Sequence, residues 1–594
     1  MPTAEMSLPA AKSDRGEDAG GIHGPSLLLR FWQSAAGFWG RCGTPDAWLL
    51  SAALLVIVLF NLAASFGMNV WNRVIFDALQ ARDSGTVLEL SLLYLPLLAG
   101  SVFLTVMQVL ARMTMQRRWR AWLNAVIVDR WLASRRYYRL SLAGGAVGGV
   151  PSGADNPECR IADDVRIATE APVEFAAGIT TAVLSAATFI VVLWTVGGAF
   201  TFHVGEAAVT IPGFLVLAAV VYAAAASTLM STIGRRLIAV LERKDQAEAE
   251  YRYLLTRVRE NGEGIALLEG EDNERRGIST LFRAAFAAWR DVCIQTMRTT
   301  IVSQASGYIA PILPIILCAP KFLDNSMSLG EVMQAASAFT MVQSALNWLV
   351  DNYPRLADWA ASARRVASLN HSLDALDPPE GGRRGVIRRA DGTDAALRLR
   401  HITVTLPDGT PVIDGVNTVI MPGEKVLIDG ESGTGKTTLA RAIAGAWSWG
   451  RGEVCVLSGA KLAVLPQRPY MPMGTLRRAV TYPDAAASRS TNEISAVLAK
   501  VGLGHLAARL DENRDWDHIL SGGEKQRLAF ARLLFQRPDI VLLDEATAAL
   551  DATGQRRMME LITQELCHVT VVSIGHRAEL AEFHDRRITL SRSS

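Results

Sequence analysis

The sequence predicts an α-helical membrane domain with six spans, followed by an α/β P-loop domain that binds a nucleotide. Three observations predict this fold class. Six apolar stretches, each near the roughly 20 residues that a helix needs to cross a bilayer, fill the N-terminal half. A glycine-rich loop with a lysine lies in the C-terminal half, between an apolar run and a helical pattern. The 594 residues exceed the size of one domain, and 50% of them are hydrophobic.

The apolar stretches define the predicted spans and their orientation. Arginine is frequent between the second and third stretches, whereas the loop between the third and fourth, 197–210, contains neither lysine nor arginine. Because positive residues stay on the cytoplasmic side of a membrane, both termini are predicted to be cytoplasmic. The expected spans are 48–70, 92–113, 175–196, 211–233, 301–320 and 332–350.

Composition also predicts the domain limits. Residues 1–25 are polar and lack the apolar segment of a signal peptide, so they are expected to form a disordered cytosolic tail. Residues 26–376 would form the transmembrane domain, in which helical patterns continue beyond the membrane, as in an exporter-type architecture. Residues 377–394 are rich in proline, glycine and charge and are expected to be a linker. The nucleotide-binding domain would then be 395–594.

The glycine-rich loop predicts a phosphate-binding site. An apolar run, 425–429, precedes it as a predicted strand, and a helical pattern follows it. Glycines let backbone N–H groups surround phosphate oxygens, Lys436 would reach the β- and γ-phosphates, and the Thr437 hydroxyl would bind Mg²⁺. The expected nucleotide-binding residues of this loop are Gly430, Glu431, Ser432, Gly433, Thr434, Gly435, Lys436, Thr437 and Thr438.

A second apolar run, 539–545, ends in two carboxylates, Asp544 and Glu545. This is the pattern of a buried strand that delivers charge at its C-terminal edge. Asp544 suits Mg²⁺ coordination, mostly through water. Glu545 suits general-base activation of an attacking water, an effect typically worth about 10²–10⁴-fold in rate. The two motifs together predict nucleotide hydrolysis.

The segment 520–527 (LSGGEKQR) resembles the signature sequence of ATP-binding-cassette (ABC) proteins. The resemblance implies that Ser521, Gly522 and Gly523 contact the γ-phosphate of an ATP molecule held by a second cassette. Two chains would therefore complete each site. Taken alone, a serine followed by two glycines also fits an ordinary helix N-cap.

The same resemblance implies roles for three further residues. Gln467 would contact Mg²⁺ and water, His576 would contact the γ-phosphate, and Asp551 would end a loop that crosses the interface between two cassettes. Leu406 departs from the family pattern, because an aromatic side chain commonly stacks on adenine at this position. Leucine can cover a purine face but offers no π-stacking. The sequence therefore does not predict a strict preference for ATP over GTP.

Short motifs that matter for the comparison lie in the membrane half and in the cassette. They are 69–80 (NVWNRVIFDALQ), 118–120 (RWR), 129–132 (DRWL), 137–138 (YY), 155–157 (DNP) with Arg160, Ile161 and Asp164, 467–470 (QRPY), 474–476 (GTL) and 575–577 (GHR). With them the chain resembles, from about residue 47 to its C-terminus, the SbmA/BacA-like and peroxisomal fatty-acyl group of ABC transporters. It is most similar there to bacterial fused permease–ATPases of the YddA and BacA-like kind. Each stretch alone also fits helix capping or solvated charge.

The resemblance implies an exporter-type ABC fold, a homodimer of half-transporters and a place in a bacterial inner membrane. Members of the group take in peptides, bleomycin-like drugs or cobalamin, or move acyl-CoA. The leading hypothesis is therefore ATP-driven uptake of a hydrophilic, peptide-like solute, with ATP and Mg²⁺ as cofactors. The alternatives are an exporter or acyl-CoA/lipid translocator and, in another class, a membrane-bound ATP-dependent sensor. A net charge of +2 gives no reason to expect a nucleic-acid partner.

Polar residues form one stripe on the first predicted span and another on the sixth. Because polar side chains avoid lipid, both stripes are expected to face the interior of the helix bundle. A hydrophilic substrate cavity and hydrogen bonds between helices explain the stripes equally well. The candidate cavity residues are Asn61, Ser65, Asn69, Asn72, Ser337, Thr340, Ser344 and Asn347.

Overall fold

The computed structural model divides the chain into two compact units. The first combines Met1–Val128 with Asn156–Leu369, and the second combines Asp129–Asp155 with Asn370–Ser594. The expected disordered tail, 1–25, lies outside the described residues. The described residues are 29, 31–33, 35–40, 46–143, 156–204, 207–376, 386–406, 408–431, 433–575 and 577–590.

Long helices build the first unit. Helices suit a membrane domain because they satisfy every backbone hydrogen bond within one segment. In chain order the long helices are α1 Ala47–Ala81, α2 Ser84–Leu132, α4 Val165–Gly197, α5 Phe214–Glu260, α6 Glu271–Leu323 and α7 Leu329–Ala375, with α3 Arg136–Ala143 lying in the second unit. Short helical segments are Ala36–Trp39, Ala133–Arg135, Pro157–Cys159, Arg160–Asp164 and Gly262–Leu267.

Among the described residues, five helices are long and apolar enough to cross a membrane. They overlap the first five predicted spans, and the protein is therefore a multi-pass membrane protein. The sixth predicted span, 332–350, lies in α7, which is as long as α5 but has a less apolar central stretch than the five helices above. Gln334 and Gln343 of α7 are buried, so protein rather than lipid surrounds this part of the helix. A sixth crossing stays a prediction.

A β-hairpin replaces part of the expected loop between the third and fourth spans. Strand β1, Ala199–Val204, pairs antiparallel with β2, Ala207–Pro212, in a register that joins Ala199 to Pro212. The run of valine, threonine and isoleucine in β2 favours an extended chain. For this reason α5 begins at Phe214, three residues after the predicted start at 211.

Two sheets form the core of the second unit. A parallel sheet has the strand order β11-β6-β10-β9-β8, and a second sheet has the order β3-β7-β4-β5. The strand β3 falls within 377–394, the expected linker, and the domain limits stay a prediction. The strands are β3 Arg388–Gly392, β4 Leu397–Thr405, β5 Pro411–Ile420, β6 Lys425–Asp429, β7 Gly450–Leu457, β8 Leu462–Leu465, β9 Ile540–Asp544, β10 Thr570–Ile574 and β11 Arg586–Thr589.

Helices cover the sheets of this unit. Those with α geometry are α8 Lys436–Ile443, α9 Leu476–Thr481, α10 Thr491–Lys500, α11 Trp516–Ile519, α12 Gly522–Gln536 and α13 Ala552–Glu565. Short 3₁₀ turns are Ala486–Ser488, Gly504–Arg509 and Ala578–Phe583. A two-residue bridge pairs Gly474–Thr475 with Asn513–Arg514.

The parallel sheet brings the predicted site residues to one edge. Every residue of β9 and β10 is buried, which explains why apolar residues predominate in both strands. Asp544 at the end of β9 is in register with Ile574 of β10, and Ile574 is in register with Ile428 of β6. Because the strands are parallel, their carboxyl ends meet at the same edge, where α/β sheets bind ligands.

Candidate functional site

The loop between β6 and α8 has the backbone of a phosphate-binding loop. Gly433 and Gly435 both have a φ of 85°, in the left-handed region that favours glycine. A Cβ atom at Gly435 would lie 2.5 Å from Val412 Cγ1, so close packing also requires glycine there. Ser432 of the predicted set lies outside the described residues.

Lys436 is held at the mouth of this loop. Its Nζ donates to the carbonyl oxygens of Gly430 at 2.6 Å and Glu431 at 2.8 Å. The residue is only 7% exposed and begins α8. The loop therefore combines a cation with the N-terminus of a helix, and both attract phosphate.

Thr437 and Asp544 form the predicted metal-binding pair. Thr437 Oγ1 donates to Asp544 Oδ1 at 3.1 Å. Burial raises the pKa of Asp544 above its ordinary value, while the Thr437 hydrogen bond opposes that rise. A hydroxyl and a carboxylate at this distance are the hard oxygen ligands that Mg²⁺ prefers, so these residues fit Mg²⁺.

Glu545, the predicted general base, is hydrogen-bonded to Gln467. Gln467 Nε2 donates to Glu545 Oε2 at 2.7 Å. Glu545 has a φ of 49°, an uncommon conformation for a residue other than glycine. Its N–H donates to Ile574 O at 3.0 Å, which fixes the backbone against β10. A left-handed backbone of this kind costs about 1–3 kcal/mol and clusters at functional sites.

The signature serine caps a helix. Ser521 precedes α12, and its Oγ accepts from Glu524 N at 3.3 Å while the Glu524 carboxylate accepts from Ser521 N at 2.9 Å. This reciprocal pair is a capping box, for which the Ser-x-x-Glu spacing is the sequence signal. Gly522 and Gly523 occupy the first turn, where N–H groups lack partners within the helix.

Gln526 is a site residue that the sequence analysis missed. It is 3% exposed, its Oε1 accepts from Ala549 N at 2.9 Å, and its Nε2 donates to Gln467 O at 3.4 Å. It therefore ties the signature helix to the segment that follows β8 and to the segment that follows Glu545. Its only signal in the sequence is its place within the signature motif.

Arg577 is a second missed residue. Its guanidinium donates to the carbonyl oxygens of Ala548 and Leu550, each at 2.9 Å, and to Gln555 Oε1 at 2.9 Å. It thereby holds the loop that ends at Asp551, which caps α13 by accepting from Gly554 N at 3.0 Å. The neighbouring His576 lies outside the described residues, so its γ-phosphate contact stays a prediction.

The polar stripes of the membrane unit make hydrogen bonds between helices. Asn61 Nδ2 donates to Gln108 Oε1 of α2 at 2.8 Å. Asn69 and Gln334 of α7 exchange two bonds, each of 3.1 Å. Ser227 Oγ of α5 donates to Asn347 Oδ1 at 3.1 Å.

The remaining stripe residues have other environments. The hydroxyls of Ser65 and Thr340 donate to carbonyl oxygens of their own helices, both at 2.9 Å. Asn72 and Ser337 are half-buried, and Ser344 is exposed. Contacts between helices therefore account for three of the predicted cavity residues, and a role in binding substrate stays a prediction.

Comparisons with known families agree with this two-part chain. The family described as "ABC transporter transmembrane region 2" matches residues 40–323, and the family described as "ABC transporter" matches residues 413–548. An uncharacterized ABC transporter ATP-binding protein of Haemophilus influenzae is 31% identical, over 80% of this chain and 77% of its own length.

A second relative and one solved structure extend the comparison. The inner membrane ABC transporter ATP-binding protein YddA of Escherichia coli is 28% identical, over 93% of this chain and 95% of its own length. A bacterial Atm1-family ABC exporter with ATP bound aligns with a TM-score of 0.71 at 18% identity, over 91% of this chain and 93% of the exporter. The exporter-type fold and the resemblance to fused permease–ATPases are thereby confirmed.

Proposed function

The chain belongs to the ABC transporters, in which ATP hydrolysis drives movement of a solute across a membrane, and from that premise we propose that two copies of this half-transporter take up a hydrophilic, peptide-like solute. The observation that carries the ATPase half of the proposal is the meeting of Lys436, Thr437, Asp544 and Glu545 at one edge of the parallel sheet.

Each residue at this edge has a distinct part in hydrolysis. Lys436 and the N–H groups of the loop bind the β- and γ-phosphates of ATP. Thr437 and Asp544 would hold Mg²⁺, which would neutralise charge that develops on the phosphate oxygens. Glu545 accepts a proton from the attacking water, and Gln467 orients the carboxylate through its 2.7 Å hydrogen bond.

The chain carries one membrane domain and one cassette, which supports a homodimer. Ser521, Gly522 and Gly523 stand at the start of α12, and the Ser521 side chain bonds within its own helix. In the proposed dimer these groups face the γ-phosphate bound by the partner cassette. Asp551 and the loop that Arg577 holds lie at the same interface.

The uptake direction rests on the resemblance to the SbmA/BacA-like group and on the polar stripes of α1 and α7. A bacterial inner membrane with both termini cytoplasmic is the proposed location, supported by the YddA relative, an inner membrane protein, and by the arginine distribution. A wet path along Asn61, Ser65 and Asn72 would suit a polar solute better than a lipid.

Transport into sealed vesicles tests the direction. Right-side-out vesicles energised with internal ATP should accumulate labelled bleomycin or a proline-rich peptide, and vesicles with Glu545→Gln should not. Accumulation of the solute only in inside-out vesicles with external ATP would make the chain an exporter. Movement of acyl-CoA or phospholipid alone would make it a lipid translocator, and ATP hydrolysis without transport of any of these would favour a sensor.

A further inference from the structure

A cavity of about 360 Å³ lies in the first unit, and none of the stripe residues lines it. Its volume falls within the range of about 300–1,000 Å³ that is typical of ligand pockets. Four tryptophans line it, together with aliphatic residues of α1 and α4. The tryptophans are Trp32, Trp39, Trp48 and Trp119.

The segment before α1 closes one side of the cavity. Trp39 lies edge-on against Trp119 of α2, with ring centroids 4.9 Å apart, and Trp119 Nε1 donates to Ala35 O at 3.2 Å. Gly37 permits a close approach to Trp122 of α2, because a Cβ atom at Gly37 would lie 2.8 Å from the Trp122 ring. Phe38 is fully buried in the same contact. This wall is therefore fixed by packing.

Most polar side-chain atoms of the wall already form hydrogen bonds. Trp39 Nε1 donates to Ser51 Oγ at 3.0 Å, Ser51 Oγ donates to Ala47 O at 2.9 Å, and Trp48 Nε1 donates to Trp39 O at 3.1 Å. Thr180 Oγ1 donates to Ala176 O at 2.7 Å. A polar ligand would meet few groups to bind, whereas an apolar chain would lose nothing, so the chemistry of the wall selects an apolar occupant.

The cavity reaches the lipid-facing surface near one end of the membrane. Trp48 is 68% exposed and Leu55 is 49% exposed, and both line the cavity. Tryptophan is enriched where lipid headgroups meet the acyl chains, which places this end of α1 at that level. An ion pair lies next to the wall: Arg118 Nη1 and Asp46 Oδ2 are 2.5 Å apart, with side chains 41% and 52% exposed. Neighbouring charges of both signs complement a zwitterionic headgroup.

We propose that this cavity binds one acyl chain of a zwitterionic phospholipid from the leaflet next to the start of α1, with the headgroup beside Arg118 and Asp46. The bound chain fills the space between the segment before α1 and the helices α1 and α4. The site is separate from the transported solute. The phospholipid would be a structural lipid of the protein, and it would hold the segment before α1 against α2.

Photo-crosslinking of the full chain in vesicles tests the site. The probes are phosphatidylethanolamine with a diazirine near the end of one acyl chain and, in a parallel sample, a free fatty acid with the same diazirine chain. Labelling by the phospholipid should concentrate on 48–58 and 172–180. In Ala176→Phe the ring enters the cavity, and labelling should fall about tenfold, the loss expected when about two CH₂ groups are displaced from an apolar site.

The matched control is Ala53→Phe, which adds the same ring to an exposed position of α1 that does not line the cavity. It should leave labelling unchanged. If Ala176→Phe does not reach the membrane, Ala176→Leu adds less bulk and carries the same expectation in a smaller degree. Equal labelling of Ala176→Phe and Ala53→Phe would overturn the proposal. So would uniform labelling of all exposed apolar faces, or labelling by the fatty acid alone.

Discussion

Gln467 and Glu545 are joined at the edge of the parallel sheet, where Nε2 of the amide donates to Oε2 of the carboxylate at 2.7 Å. The two residues follow neighbouring strands, β8 and β9, which pair in parallel register. In the proposed mechanism this hydrogen bond orients the carboxylate that serves as the base. Gln526 Nε2 donates to Gln467 O at 3.4 Å, which ties α12 to the segment that follows β8.

Glu545→Gln should keep ATP binding and lower turnover by about 10²–10⁴-fold, because the amide still accepts the Gln467 bond but takes no proton. Lys436→Ala should instead weaken nucleotide binding, since it removes the cation of the loop. Turnover and fluorescent-nucleotide binding, measured on the same purified proteins, distinguish the two defects. Near-normal turnover of Glu545→Gln would remove Glu545 from the role of base.

Hydrolysis should require two chains. A mixture of Ser521→Ala and Lys436→Ala chains contains hybrid dimers with one intact composite site, so activity should return in the mixture and be absent from either variant alone. Ser490→Ala is the matched control, because Ser490 forms the same capping box with Glu493 before α10. It should cost a similar stability, about 1 kcal/mol, and leave turnover intact. Full activity of a demonstrated monomer would contradict the shared site.

Leu406→Tyr should tighten ATP binding. Leu406 is 38% exposed in the turn between β4 and β5, so an aromatic ring there has room to lie against a base. Stacking of a base on an aromatic ring is worth about 1–3 kcal/mol. Competition between labelled ATP and GTP gives the measurement. Val419→Tyr places the same ring on an exposed part of β5 and should change neither affinity.

The cassette should lose stability as pH falls below neutral, in part through His584. Burial lowers the pKa of His584 from its ordinary value of 6.5, and its ring lies 2.6 Å from Leu580 O and 2.7 Å from Ser573 Oγ of β10. Below pH 6.5 the unfolded chain takes up a proton that the folded chain does not, so the free energy of unfolding falls as pH falls through that window.

His584→Gln keeps a side chain that can both donate and accept, without titration. The thermal unfolding transition of the purified chain should therefore shift less between pH 7.5 and pH 5.5 in this variant than in the natural chain. An identical shift in both proteins would show that other groups cause the acid sensitivity.

Substitutions at Asn69 and Gln334 can distinguish a role in helix packing from a role in substrate binding. Asn69→Leu leaves the buried Gln334 amide without its partner and should destabilise the membrane unit by about 0.6–1.7 kcal/mol. Adding Gln334→Leu removes the second polar group and should restore most of that stability, because replacing both partners is nearly neutral. Thermal stability and bleomycin sensitivity are measured together. If the double variant regains stability but not uptake, the result favours a hydrated substrate cavity. If it regains both stability and uptake, the two residues serve only to pack the helices.

The sequence by itself determined the candidate site residues that lie within short segments. The loop from Gly430 to Thr438, the carboxylates at the end of β9 and the cap at Ser521 each depend on a few neighbouring residues whose spacing is visible in the chain. Long apolar stretches likewise predict spans, since crossing a bilayer depends on local length and composition.

Only the tertiary structure decided which distant residues meet. Gln467 and Glu545 are separated by 78 positions, and Asn69 and Gln334 by 265, so no local pattern pairs them. The burial of Gln334 and Gln343 in α7, the hairpin before α5 and the tryptophan-lined cavity also arise from packing between elements. Packing depends on shape and burial across the whole unit, and that information appears only when the chain is folded.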